Sequence, residues 1–591
     1  MILEKIDWII IGIFFITSLI IGIMVSKRAG KDTSEFFLSG RSMPWWLLGI
    51  SMVATTFSAD TPNLVADIVR KHGVSGNWIW WAFLLTGMLT VFLYAKLWRR
   101  STVLTDLEFY ELRYSGKEAA FLRGFRALYL GFFFNIIIMA TVSMAAIKIG
   151  GVLLGLSPIQ ALLIASVTTV IYSSLGGLKG VLITDFFQFF MALIGSVWAT
   201  IVIVDLPEIG GLDNLLSHTN VKDKLNFFPD FSNTDLLISA FIIPIAVQWW
   251  SVWYPGAEPG GGGYIAQRML SAKDEKNAIW ATLLFNLMHY AIRPWPWILI
   301  ALASLIIFPN VSDLVRAFPN VDVSVIKDDL SYSAMLTYLP PGLLGLVLAS
   351  LIAAFMSTIS THLNWGASYM VHDFYQRFIN PGASAKQLVF VARMSTALLM
   401  LFAAILALFL SNALQAFNIL LQIGAGTGLL FILRWFWFRI NAWSEMTAMI
   451  VSFVIALYFE AIHPWTGLPE ISDALKLVLG VLITTTAWVG VTLLTKPSNE
   501  ETLISFYKLI QPGGPGWKKI RIKIKNGDLD NNKNWDVPIA ILCMVIGSFM
   551  IFFALFTIGY FIYGKLKLAL MLLLLTFLSA FLLFKLWKKH L

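Results

Sequence analysis

About fifteen apolar runs follow one another along the chain, separated by short polar breaks. A helix of about 20 apolar residues spans the hydrocarbon core of a bilayer, and in lipid every backbone polar group must be satisfied within its own segment. The chain is therefore predicted to be an all-α polytopic membrane protein with about fifteen transmembrane helices, from 6–26, 45–69 and 78–98 through to 537–561 and 566–586. Composition agrees: 58% of the 591 residues are hydrophobic and 13% are charged, against about 25% charged in a typical soluble protein. The first run lacks a basic leader and a small-residue cleavage site, so it reads as a retained span.

The loops orient these spans. Lys27, Arg28, Lys31 and Arg41 follow the first span, and Arg99, Arg100, Arg113, Lys117, Arg123 and Arg126 follow the third. The loop 496–536 adds eight lysines and arginines on the same face, whereas the loop 205–235 on the opposite face is mainly acidic. The positive-inside rule then places the N-terminus outside and the C-terminus in the cytoplasm of a cell (plasma or inner) membrane. Topology thus explains the net charge of +9, and no nucleic-acid partner is needed. The basic stretch 518–525 reads as a solvated linker or as a contact with anionic lipid heads.

Several functions are excluded. With Cys543 alone there is no internal disulfide or thiolate cluster, and the 7 histidines show no metalloenzyme spacing, so no enzyme activity is expected. There is no potassium-channel filter motif and no soluble C-terminal kinase domain.

The second span, LLGISMVATTFSADTPNLVADIVRKHG, is internally polar. An ionisable residue at membrane depth, here Asp60, is costly and marks function by default. Pro62 suits the first position of a new helix. The segment therefore reads as two half-helices. One ends near Phe57 with free carbonyls, including those of Ala54 and Phe57, at its negative pole. The other starts at Pro62 with free N–H groups at its positive pole. A proline kink patched by Ser and Thr is the plainer alternative, and Asp60 weighs against it. A second break, QWWSVWYPGAEPGGGGYIAQRM, interrupts the seventh span five spans later. Paired breaks in two halves point to an inverted-repeat transporter. In MSTISTHLN, Ser357, Ser360 and Thr361 share a helix face with Thr358 beside it, a set of hard oxygen ligands suited to a small cation and equally a set of small packing residues.

Taken together these segments resemble the sodium/solute symporter family, which includes sodium/sugar, sodium/proline and sodium/sialic acid cotransporters. SMVATTFSAD resembles its broken first core helix, SSLGGLKGVLITDFFQF its junction of core helices four and five, and MSTISTHLN with VHDFYQ its eighth core helix. YIAQRMLSAKDEKNA resembles the segment after core helix six, and the match covers roughly 5–495. The resemblance implies a LeuT-type five-plus-five inverted repeat. An extra helix and loop occupy 1–44, the first repeat 45–205, an extracellular loop 206–234 and the second repeat 235–436. Two further helices follow at 437–495, then the basic cytoplasmic loop 496–536 and two C-terminal helices at 537–591.

It also implies a sodium ion held by the carbonyls of Ala54, Phe57 and Ala354 and the hydroxyls of Ser357 and Thr358. A second sodium would use Asp185, Ser360 and Thr361 with Ser357; Asp185 alone could be an ordinary helix cap. The expected function is sodium-coupled symport of a small polar organic solute by alternating access. A sugar-like solute is favoured; amino-acid or organic-acid symport, proton coupling through Asp60 or Asp185, and a non-transporting sensor are the alternatives.

The pocket departs from the sugar cotransporters, with Thr61 in place of a glutamine and His289 in place of a lysine. The solute is expected near Thr56, Asp60, Thr61, Trp80, Trp81, His289 and Arg293. The tryptophans could stack on a sugar ring or belong to an interfacial belt. His289 and Arg293, four apart on one face, could bind a carboxylate, or Arg293 could snorkel or pair with an acid. Arg434 is expected to snorkel at the end of its span.

Overall fold

The computed structural model describes residues 3–29, 38–56, 58–173, 178–252, 258–410, 412–524 and 536–590. It is helical along nearly all of this length, and among the described residues ten helices are long and apolar enough to cross a membrane. Helix α1 (Lys5–Ala29) precedes a pair of shorter helices, α2 (Trp45–Thr56) and α3 (Thr61–His72). Then come α4 (Val74–Ser101), α5 (Gly116–Leu154), α6 (Pro158–Ser173) and α7 (Leu178–Val204). A second pair of short helices, α8 (Thr234–Ala246) and α9 (Gly263–Ser271), leads into α10 (Glu275–Ile307), α11 (Leu343–Ile379) and α12 (Ala385–Ala407). The remainder comprises α13 (Ala413–Gly424), α14 (Gly428–Leu433), α15 (Ala442–Trp465), α16 (Asp473–Leu494), α17 (Glu500–Ile510), α18 (Val537–Ile562) and α19 (Leu566–His590).

The polar break after Thr56 does separate two helices, with Pro62 in the first turn of α3. A third interruption was not foreseen. The run 412–436 is split at Ala425–Thr427 because the glycines beside it approach another backbone. A Cβ at Gly424 would collide with the Val252 carbonyl, and one at Gly428 with the Trp250 carbonyl. Gly426 adds a left-handed turn at φ +81°. The uncoiled end of the seventh span thus lies in the notch between α13 and α14.

α1 is pinned at its start. The Asp7 carboxylate, fully buried, accepts from the Gly342 and Gly345 amides at 2.7 Å each, at the N-terminus of α11. α18 packs on α4 and α10 through aromatic rings: Trp78 meets Phe552 at 5.0 Å, and Trp295 Nε1 donates to the Leu555 carbonyl at 3.2 Å. α12 and α19 instead present mostly exposed apolar side chains, as helices solvated by lipid do.

The part of the 496–536 loop ahead of the basic stretch is anchored on the helices. Phe506 and Trp517 are buried against Arg113 and Trp435, with the Arg113 guanidinium 4.9 Å from the Trp517 ring, while Lys518, Lys519 and Arg521 face out.

Candidate sodium and solute site

The end of α2 is where three elements converge. Its last carbonyls would be unsatisfied in a helix stopping at membrane depth. Arg293 answers part of this demand: its guanidinium donates to Thr56 O at 3.0 Å and Val53 O at 3.3 Å. A fixed cation therefore sits on the negative pole of the half-helix. Thr55 O is taken by the Thr358 hydroxyl at 3.0 Å. Thr56 bonds back to Met52 O and Val53 O, and its hydroxyl lies 3.3 Å from His289 Nδ1. Thr61 returns toward Thr56 O at 3.5 Å.

The expected cation ligands on α11 meet this same helix end. Ser357 donates to one Asp185 oxygen and Ser51 to the other, both at 2.6 Å. Asp185, fully buried on α7, is thus part of the α2–α11 seam and not a cap. Ser360 turns back to the Ser357 carbonyl at 3.1 Å. The Thr361 hydroxyl is buried with no hydrogen-bond partner among the described residues. Ala54 and Ala354 are both buried at this seam. Phe57 lies outside the described residues. Arg268 of α9 bonds Ser51 and Thr55 at 3.3 and 3.2 Å and stands 3.9 Å from Asp185, a basic neighbour that sequence reading missed. The donor set is hydroxyls, carbonyls and one carboxylate, the chemistry that a small hard cation takes.

Beside the seam is a cavity with about 830 Å³ of empty space counted out to its open side. It is lined by Thr56, Asp60, Thr61, Trp80, His289 and Arg293 from the expected solute set, and also by Thr358. Asp60 and Arg293 are its acid and its strong base. Asp60 Oδ1 is buried and has no hydrogen-bond partner among the described residues. Trp80 stacks on Tyr290 at 5.8 Å and meets His289 edge-on at 5.7 Å. Trp81 is not in the lining. One residue further round the helix, it is buried against Trp78 and Phe556. Of QWWSVWY, Trp253 and Tyr254 lie outside the described residues; Gln248 donates to Ile79 O at 2.5 Å and so ties the second break to α4.

His289 owes its position to a π-helical turn, Met288–Ile292, which widens α10 just ahead of Pro294 and Pro296. Neither proline has an N–H to close the helix over that turn. Three polar lining residues were not anticipated: Tyr264, Thr141 and His362. Tyr264 follows the glycine run directly and His362 follows Thr361 directly, so their neighbours carried the only signal.

Arg434 does not snorkel. It is 2% exposed and bonds Glu258 Oε2 at 3.2 Å and the Tyr110 hydroxyl at 3.1 Å. Arg126 takes the other oxygen of Glu258, which is itself buried just before α9. Such a pair is costly in a low dielectric unless every partner is present. Glu258 also lines a smaller cavity that shares Thr56, Tyr264 and His289 with the main one.

The family model for the sodium:solute symporter family matches residues 36–452. The chain belongs to this family. It is 25% identical over 476 residues to a sodium/glucose cotransporter of Vibrio parahaemolyticus, covering 78% of this chain and 86% of that one. It is 26% identical over 461 residues to a sodium/sialic acid symporter of Proteus mirabilis (strain HI4320), covering 74% and 86%. A human sodium/myo-inositol cotransporter 2 is 25% identical over 514 residues, covering 79% and 72%. Among solved structures, the substrate-bound outward-open state of a sodium-coupled sialic acid symporter aligns with a TM-score of 0.63 at 21% identity, over 84% of this chain and 99% of that one. The fold is that of a polytopic α-helical transporter of the LeuT type. The protein is a multi-pass cell-membrane symporter, not an enzyme, and couples sodium to a small solute.

Proposed function

We propose that the protein imports a small, neutral, polyhydroxy (sugar-like) solute together with sodium, by alternating access across a lipid bilayer. The observation that carries this reading is the division of labour between the two charged residues of the cavity. Arg293 gives two of its nitrogens to helix carbonyls, while Asp60 Oδ1 has no hydrogen-bond partner among the described residues, so the cavity favours a hydrogen-bond donor. The ring of Trp80 supplies an apolar face of the kind that stacks on a sugar.

In this reading one sodium binds the carbonyls of Ala54, Phe57 and Ala354 and the hydroxyls of Ser357 and Thr358. A second binds near Asp185, Ser360 and Thr361. The chain crosses the bilayer about fifteen times, with two inverted five-helix repeats at 45–205 and 235–436, its N-terminus outside and its C-terminus in the cytoplasm. The paired breaks support the repeats, and the basic loops support the orientation.

The test is uptake and counterflow in proteoliposomes, with and without sodium, beside a thermal-shift screen of sugars, amino acids and organic acids. Sodium-dependent counterflow of a neutral polyol is the expected result. Stabilisation by dicarboxylates alone, abolished in Arg293→Gln, would make Arg293 the substrate anchor and overturn the sugar reading. Binding without counterflow would point to a sensor.

A further inference from the structure

Gln188 closes the segment ITDFFQ on α7, one helical turn beyond Asp185, and neither the cation seam nor the solute cavity described above uses it. It sits on the buried stripe of Asp185, Gln188, Ala192, Gly195 and Ala199, while Phe187, Phe190, Ile194 and Trp198 are exposed on the other side of the helix. A glutamine in a membrane helix ordinarily bonds across to a neighbouring helix. Gln188 does not: it is 5% exposed, and neither Oε1 nor Nε2 has a hydrogen-bond partner among the described residues. A buried amide left unbonded is costly, so packing alone does not account for it.

Two contacts fix its level on α11. Asp185 accepts from Ser357 at 2.6 Å, and a Cβ at Gly195 would stand 3.7 Å from Val347. These two pairs lie ten residues apart on both helices, in opposite senses, so α7 and α11 run antiparallel in a constant register. Three residues on from Asp185 is then level with three residues back from Ser357, which is Ala354. α2 gives the same level from its own side. Ser51 donates to Asp185 at 2.6 Å, and Phe189 belongs to one packed group with Ile50, Val53 and Ala54. Gln188 thus lies level with Ala54 and Ala354, whose carbonyls are those assigned to the first sodium. The small side chains of these two alanines leave their backbone within reach of a longer one.

We propose that Gln188 is a sodium-binding residue: its Oε1 joins the carbonyls of Ala54 and Ala354 as a further ligand of the first sodium. An amide oxygen is a hard, neutral donor of the same kind as those carbonyls. It adds coordination without adding charge. α7 then serves both ions, with the Gln188 amide on one and the Asp185 carboxylate on the other, one helical turn or about 5.4 Å apart along its axis. Sodium at the first site ties α7, as well as α11, to the broken end of α2. This inference rests on the ligand reading of the first sodium site above.

Sodium alone is the probe. The thermal unfolding midpoint of the purified full-length protein is followed as sodium chloride replaces choline chloride at constant ionic strength. Gln188→Leu keeps the bulk of the side chain and removes the amide. In choline its midpoint should equal or exceed that of the unsubstituted protein, because an unbonded buried amide is gone. The sodium concentration for half-maximal stabilisation should rise about tenfold, the loss of one ligand contact. Gln188→Glu keeps an oxygen in place and adds a charge. At alkaline pH it should need no more sodium than the unsubstituted protein, and at acid pH, as protonation cancels the charge, it should need more. That acid-side rise is the deciding readout if Gln188→Leu does not fold. An unchanged sodium requirement in folded Gln188→Leu, whatever its midpoint, overturns the assignment, as does a Gln188→Glu requirement that follows the unsubstituted protein at every pH. Thr358→Ala is measured alongside. If it raises the sodium requirement and Gln188→Leu does not, only this inference falls; if neither does, the ligand reading of the first site falls and this inference with it.

Discussion

Arg293 and Thr56 are joined across the cavity wall by a guanidinium-to-carbonyl hydrogen bond of 3.0 Å, and the same guanidinium reaches Val53 O at 3.3 Å. The broken helix α2 therefore ends on a resident cation from α10. Thr55 O, between those two carbonyls, is bonded instead by Thr358 of α11. The consecutive carbonyls of Thr55 and Thr56 are thus held by different helices, so any shift of α10 against α11 is felt at the break.

Arg293→Met should expose what this cap contributes. It leaves two buried carbonyls without their charged donor, at a cost of about 2–3 kcal/mol. Thermal unfolding in detergent should show a lower midpoint, and solute uptake should fall with it. Arg293→Lys should recover part of the stability, because a single ammonium cannot match the two-pronged guanidinium. Full stability in Arg293→Met would show that the bonds are incidental.

Thr358→Ala should raise the sodium concentration for half-maximal uptake. It removes one oxygen from the expected cation ligands together with the bond that fixes Thr55 O. A lost charge-assisted contact of about 1.5 kcal/mol corresponds to about a tenfold weaker sodium dependence. Thr358→Ser, which keeps the hydroxyl, should behave nearly normally. Unchanged sodium dependence in folded Thr358→Ala would remove this residue from the ion site.

The break between α2 and α3 was legible because Asp60 and Pro62 have no place in a lipid-facing helix. The break between α13 and α14 was not, since IGAGTG contains no charged residue or proline. Its cause is tertiary: the carbonyls of Trp250 and Val252, far off in sequence, occupy the space that side chains would need. Arg434 was misjudged for a similar reason, because its acid, Glu258, is 176 residues away. Trp80 and Trp81 could not be told apart without knowing which way α4 turns. The π-helical turn that places His289 leaves no mark in hydrophobic periodicity.

Gly428→Ala tests the tertiary cause of the third break. Its new methyl would collide with Trp250 O, a backbone atom that cannot rotate aside. Overpacking of this kind costs about 3 kcal/mol, so the unfolding midpoint should drop clearly. Gly490→Ala, where nothing lies within 4 Å of the added carbon, is the control and should be silent. Equal effects of the two substitutions would refute the close-packing argument.

Glu258→Gln should be more damaging than Arg434→Met. The first leaves Arg126 buried against a neutral amide and Arg434 with Glu445 at 3.5 Å as its remaining acid, while the second leaves Glu258 its bond to Arg126 and Glu445 its bond to Tyr114. Removing the shared partner of two buried charges costs about 3–5 kcal/mol. Combining Glu258→Gln with Arg434→Met should recover part of that loss, since one of the two cations that lost the Glu258 carboxylate is then gone. Strictly additive losses in thermal unfolding would mean that the three residues do not act as a unit.

Asp185→Asn tests the proposed second ion. Asp185 accepts from Ser51 and Ser357 at 2.6 Å, and Arg268 stands 3.9 Å away. The Thr361 hydroxyl lies buried one turn beyond Ser357 with no hydrogen-bond partner among the described residues. A carboxylate offsets the charge of an added cation, and an amide does not. Asp185→Asn, which preserves the shape of the group, is therefore expected to lower the Hill coefficient for sodium from near two to near one. Thr361→Val should act in the same direction through the lost hydroxyl. The measurement is sodium-dependent uptake of a neutral solute alongside the charge moved per solute molecule. If the unsubstituted protein already shows a coefficient near one and moves a single charge, there is no second sodium, and Asp185 is left with bracing α2 against α11 through its two serines.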